Sequence, residues 1–223
     1  MGEFDGHRER LRQKFLTHGM DVLQDHEVLE LLLFYAVPRR DTNALARSLL
    51  KQFGSLSAVL EASAADLCTV AGIGEHAATL LQMVRPLARR YQVSRADKGI
   101  CLTTTRACGE FLLPYFFGAT EEQIYLLCLD AKCKVLACRL LHSGSVNSAS
   151  VPLRKAAEIA LGCGAASVVM AHNHTCDVAV PSKSDIETTE AVKATLAALD
   201  VFLADHIIVG SSDFLSMAES GYL

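Results

Sequence analysis

With 223 residues, 51% of them hydrophobic, the chain can bury one sizeable core or two small ones joined by a linker. Twelve Lys/Arg against eleven Asp/Glu over residues 1–95, and nine against fourteen over 96–223, divide the net charge of −4 into +1 and −5. Neither part has the basic excess that gives sequence-independent affinity for phosphate backbones, so charge does not imply a nucleic-acid partner.

The N-terminus, MGEFDGHRERLRQKF, is charged and lacks a seven-residue apolar stretch, so no secretory signal is expected. The richest apolar runs, Val28–Val37 and Ser167–Ala171, are far short of a membrane span. A soluble cytoplasmic protein without a membrane partner is expected. Its eight cysteines should be mostly reduced there, and with no C-x-x-C pair they do not suggest a zinc ribbon.

The first ninety-odd residues read as helices. Asp25 can cap one through Glu27, Leu29, Leu32 and Leu33, and Asp41 or Thr42 the next, through Leu45, Leu49 and Leu50 to a break at Gly54. Gly72 and Gly74 flank Ile73 ahead of a periodic helix through Leu80, Leu81, Val84 and Leu87. Each glycine can take positive φ, which permits a tight turn and gives the helix-hairpin-helix pattern. In the functional reading the amides of Gly72, Ile73 and Gly74 touch a phosphate, giving weak DNA association. The acidic Glu75 that follows favours a structural turn instead.

Tyr91–Ile100 is polar and aperiodic, and a linker is placed at 93–101, between a helical region (1–92) and a second domain (102–223). In that domain Thr103–Thr105 can cap a helix that Pro114 ends or kinks. Ile124–Leu129 and Val135–Leu141 read as a hairpin pair, and Arg154–Leu161 as a helix. Ser167–Ala171 reads as a strand buried on both faces, Ser184–Leu199 as a helix and Phe202–Gly210 as a strand. Strands alternating with helices predict an α/β or α+β sandwich.

The chemistry concentrates in one segment, from His172-Asn-His174 to Ser182-Lys-Ser-Asp185. Histidines two apart in extended chain point to the same side, so both imidazoles can reach one ion. Asp185, from the start of the next helix, can complete three ligands with one position open, the zinc arrangement that retains and acidifies a water. H-x-H alone arises by chance roughly 0.3 times in this composition, the full pattern roughly 0.001 times. The bland alternative makes Ser182 and Asp185 a capping box and the histidines core residues.

H-x-H-x7-S-x2-D resembles the metal motif of the JAMM (MPN-plus) metallopeptidases. The whole chain is similar to their RadC branch, on the Gly72–Gly74 leader, Leu126–Asp130, Gly144–Asn147 with Arg154, the histidine segment and Asp205–Gly210. The resemblance implies an all-α helix-hairpin-helix region followed by a cytidine-deaminase-like α/β domain of the JAB/MPN type. It implies Zn2+ on His172, His174 and Asp185, Ser182 steadying an oxyanion, and an upstream glutamate as general acid/base. Glu122, just before the first strand, matches that position, with Glu121 its neighbour and alternative. The implied activity is hydrolysis of peptide or isopeptide bonds in a peptide or protein substrate. A DNA-repair module and a non-catalytic MPN scaffold are the competing readings. A deaminase would need H-x-E with P-C-x-x-C, which is absent.

Where RadC-like chains read Pro-Ser-Gly after the second histidine, this one has Thr175, Cys176 and Asp177, and a Cys176 thiolate is an alternative fourth ligand that would close the site. Asp205 and His206 read as strand-end packing in preference to support behind the ligands.

Overall fold

Asp41, Ser55 and Ser63 each cap one of the N-terminal helices by accepting from backbone amides of its first turn, and Gly54 ends the first of these three. The computed structural model describes residues 5–38, 40–95, 99–144, 151–174, 179–210 and 213–223. Its contacts divide the chain into Met1–Ala88 and Arg89–Leu223.

The first unit contains α1 (Asp5–His18), α2 (Asp25–Ala36), α3 (Thr42–Phe53), α4 (Leu56–Glu61), α5 (Ala64–Leu67) and the first part of α6 (Glu75–Arg95). Asp41 caps α3 by accepting from the amides of Asn43 and Ala44, and Gly54 stops it at φ 91°. The cap of α2 is Gln24 and not Asp25, because the Glu27 carboxylate accepts from the Gln24 amide at 2.9 Å, which fixes the helix start one residue earlier. Leu29, Leu33, Leu49, Val59, Leu67, Ile73 and Leu81 form the core of this unit. Between α5 and α6 only Gly72 of the two glycines takes positive φ, at 95°, and a Cβ there would stand 2.7 Å from Leu45. α6 continues to Arg95, so the beginning of the expected linker is helical. Its residues look aperiodic because this turn has little to bury: Tyr91 is exposed.

The second unit is a sheet with helices on both faces. Its elements are α7 (Thr105–Phe116), β1 (Gln123–Leu129), β2 (Val135–Ser143), α8 (Leu153–Cys163), β3 (Ser167–Asn173), α9 (Lys183–Ala197), β4 (Phe202–Val209) and β5 (Phe214–Ser216). The strand order is β2-β1-β3-β4-β5. β1 is antiparallel to both β2 and β3, β3 runs parallel to β4 through the α9 crossover, and β5 adds an antiparallel edge. Thr104 caps α7 through the Ala107 amide, and Pro114 sits inside the helix, three residues before its Phe117 C-cap.

Strand alternation sorts the core into two layers. Ile124, Leu126, Cys128, Val168 and Met170 pack with Ala156 and Ala160 of α8 and Val192 and Leu196 of α9. Tyr125, Leu127, Leu129, Val169, Ala171, Ile207 and Val209 pack with Leu112 and Phe116 of α7. In β4 a bulge shifts the register, so that Val168 pairs with Leu203, Val169 with Asp205 and Met170 with His206. Each strand of the β1/β3/β4 centre is thus buried on both faces, as the apolar run of β3 anticipated.

Asp205 fastens the last strand. Its Oδ1 accepts from the amides of His206 and Ala218, at 2.7 and 3.1 Å, and its Oδ2 from the Ser216 hydroxyl at 2.7 Å. The carboxylate is buried, so its removal strands three donors. Asp205→Ala is therefore expected to lose about 3 kcal/mol of unfolding free energy in denaturant titration, against about 1 kcal/mol for the exposed cap change Asp41→Ala in the other unit. Equal losses in the two variants would contradict this account of the β4/β5 junction.

Candidate metal centre

β3 does not stop at Ala171, as its apolar run suggested, but continues through Asn173 because β1 and β4 flank it on both sides. His172 therefore lies within the sheet, paired with Ile124 of β1 and Ile208 of β4. Alternation from Val168 and Met170 turns it toward α9. His174 follows directly, and its amide donates to the Val209 carbonyl at 2.9 Å, so the chain stays extended. The two imidazole centroids stand 4.8 Å apart.

The third group comes from the first turn of α9. Ser182 is its N-cap and Asp185 its N3 residue, and both halves of the capping box are formed. The Ser182 hydroxyl accepts from the Asp185 amide at 3.2 Å and donates to Asp185 Oδ2 at 2.6 Å, while the Ser182 amide donates to the same oxygen at 2.7 Å. The capping box and the metal constellation were alternatives on sequence. Here the box is the device that aims Asp185.

The His172 Nε2–Asp185 Oδ1 distance is 3.2 Å and the His174 Nε2–Asp185 Oδ2 distance 3.3 Å. The donor atoms of all three residues lie within 4.8 Å of one another. Ligands about 2.0–2.1 Å from a tetrahedral zinc stand about 3.4 Å apart, so the two nitrogen–carboxylate separations fit one small cation, which would draw the more distant donor atoms closer together. His172 Nε2 is buried and makes no hydrogen bond, although Asp185 Oδ1 stands 3.2 Å away. A buried nitrogen left without a donor or acceptor is unfavourable unless an ion takes its lone pair. Burial acts to raise the pKa of the Asp185 carboxyl, but the two imidazoles and the Ser182 hydroxyl outweigh it and hold the group well below the usual carboxylate range.

Behind the ligands, His172 Nδ1 is 2.7 Å from His206 Nε2, and His206 Nδ1 is 2.6 Å from the Thr189 hydroxyl. Burial, reinforced by the neighbouring imidazoles, keeps His206 far below the ordinary histidine pKa. His206 thus touches a ligand directly, contrary to the packing role expected for it. No short-range pattern marks the pair, since 34 residues separate His172 from His206.

Asn173, between the two histidines, also carries more than the sequence suggested. Its Oδ1 accepts from the Gln123 amide at 2.7 Å and its Nδ2 donates to the Glu121 carbonyl at 3.2 Å. One side chain therefore grips both peptides that flank Glu122. Glu122 stands immediately before β1, partly buried, and its carbonyl accepts from the Gly144 amide at 2.9 Å. Continuing the Ile124–His172 register by two residues sets it beside His174, on the α9 face by alternation. The neighbouring Glu121 is exposed and accepts from the Ser143 hydroxyl at 2.6 Å. Gly72, Ile73 and Gly74 belong to the other unit, where Ile73 is a core residue. Thr175, Cys176 and Asp177 lie outside the described residues, and with them the expected alternative fourth ligand.

Comparison with known proteins adds the family. Residues 102–222 match the RadC-like JAB domain, and residues 6–79 match the UPF0758 N-terminal family. A UPF0758 protein of Ectopseudomonas mendocina is 39% identical over 215 residues, covering 96% of each chain. One from Stutzerimonas stutzeri is 38% identical with the same coverage, and one from Fusobacterium nucleatum 34% identical over 225 residues, covering 98% of this chain and 97% of its own. With its JAB-type sheet, its histidine–aspartate cluster and this full-length similarity, the chain belongs to the RadC-like JAB-domain family, with the UPF0758 N-terminal region ahead of the domain.

Proposed function

We propose that this protein is a zinc-dependent hydrolase of peptide or isopeptide bonds, of the JAMM type, in which His172, His174 and Asp185 hold the ion and Glu122 is the general acid/base. The observation that carries the reading is the convergence of two imidazole nitrogens and a buried carboxylate, one of the nitrogens buried without a hydrogen bond. Two nitrogens and one oxygen form a borderline donor set that suits zinc, and three protein ligands leave a position for solvent. When bound, zinc in such a site acidifies water and draws electron density from a carbonyl oxygen.

The chain's own groups do the rest. Glu122 accepts the proton of the attacking water and delivers it to the leaving amine, a task for a carboxylate held beside His174 and not free to swing. Asn173 supplies that restraint by fixing the peptides on both sides of Glu122. Ser182 keeps Asp185 aimed. Its proton is engaged by Asp185 Oδ2, so steadying an oxyanion requires that bond to be exchanged during the reaction.

Zinc titration of the full-length protein is expected to give one ion per chain, and His172→Ala and Asp185→Ala each to lose it. At zinc a hundredfold above the dissociation constant, the wild type should gain about 2.7 kcal/mol of unfolding free energy and the two variants none. Zinc-dependent stabilisation in Asp185→Ala would remove the ligand assignment.

With peptides and isopeptide-linked lysine peptides as substrates, Glu122→Gln is expected to keep its zinc and lose turnover by about 10²–10⁴-fold. Asn173→Ala should keep zinc and lower kcat more than it changes KM. A Glu122→Gln variant as active as the wild type would transfer the acid/base role to another group.

A further inference from the structure

The proton order in the buried chain behind His172 follows from what each end can do. The Asp185 carbonyl only accepts, and the Thr189 hydroxyl lies 2.5 Å from it, so the one hydroxyl proton sits between them. Thr189 Oγ1 then has only lone pairs to offer His206 Nδ1, 2.6 Å away, so that nitrogen carries hydrogen. From the other end, a proton on His172 Nε2 would be a buried donor with no acceptor in hydrogen-bonding geometry. The proton of a neutral His172 therefore belongs on Nδ1, donated to His206 Nε2 at 2.7 Å. The two ends give the same direction: His172 to His206, His206 to Thr189, Thr189 to the backbone of Asp185.

We propose that His206 and Thr189 are positioning residues that hold His172 in the Nδ1–H tautomer, with the Nε2 lone pair turned toward Asp185. The chain begins at one ligand and ends on the backbone of another, so it ties the imidazole of β3 to the first turns of α9. His206 reaches this position because it pairs with Met170, which shares the α9 face of β3 with His172. Its consequence for metal affinity rests on the zinc reading above. The tautomer does not.

The test uses full-length protein labelled with ¹⁵N-histidine, first free of metal. Long-range ¹H–¹⁵N spectra, with His172 assigned by its loss in His172→Gln, should show a protonated Nδ1 and an unprotonated Nε2. The opposite pattern overturns the proposal without reference to any variant's stability. Zinc affinity is then measured by competition with a chelator. His206→Leu and Thr189→Val are expected to bind zinc about 10–100-fold more weakly. His206→Gln, whose amide can accept from His172 and donate to Thr189, and Thr189→Ser, which keeps the hydroxyl, should stay near the wild type. Wild-type affinity in both Thr189→Val and His206→Leu contradicts a positioning role. Absence of zinc binding in the wild type itself overturns the hydrolase reading, and the tautomer is then decided by the spectra alone.

Discussion

A carboxylate that meets two imidazole nitrogens at 3.2 and 3.3 Å inside a protein is the constraint around which the C-terminal unit is arranged. Asp185 is 3% exposed and His172 2%, so neither group has bulk water as a partner. Lone pairs brought together at that range carry a cost that a bound cation removes. The Ser182 hydroxyl and amide hold one carboxylate oxygen, and the first turn of a helix favours negative charge there. The carboxylate is thereby kept ionised and aimed, which is what a metal ligand requires.

The fold delivers the three groups because β3 lies at the centre of the sheet. Its antiparallel neighbour β1 brings Glu122 alongside, through the register that pairs Ile124 with His172. Its parallel neighbour β4 brings His206, and the crossover between β3 and β4 is α9 itself, whose first turn carries Asp185. The residue between the histidines points the other way and fastens β1, so the H-N-H triplet serves both faces of one strand end. The histidine ligands and the acid/base candidate are thus set by strand pairing and Asp185 by its helix cap, which suits a site that must keep its geometry.

Much of this was legible in the sequence because it is local. The H-x-H period, the S-x-x-D cap and the apolar run of β3 each lie within a few residues, where side-chain direction follows from backbone geometry alone. What was not legible depends on register. The extension of β3 to Asn173 and the short β5 are fixed by pairing with other strands. The contact of His206 with His172 depends on the same pairing, across a bulge that the run of β4 does not announce. Gln24 in place of Asp25 as the α2 cap is a smaller case, since Glu27 two residues beyond Asp25 decided which amide began the helix.

The most direct measurement is a crystal structure of the zinc-soaked protein with anomalous data at the zinc edge. The account predicts one strong peak touching Nε2 of His172, Nε2 of His174 and the Asp185 carboxylate, with the remaining coordination taken by solvent. A peak elsewhere, or a fourth protein side chain closing the site, would contradict it.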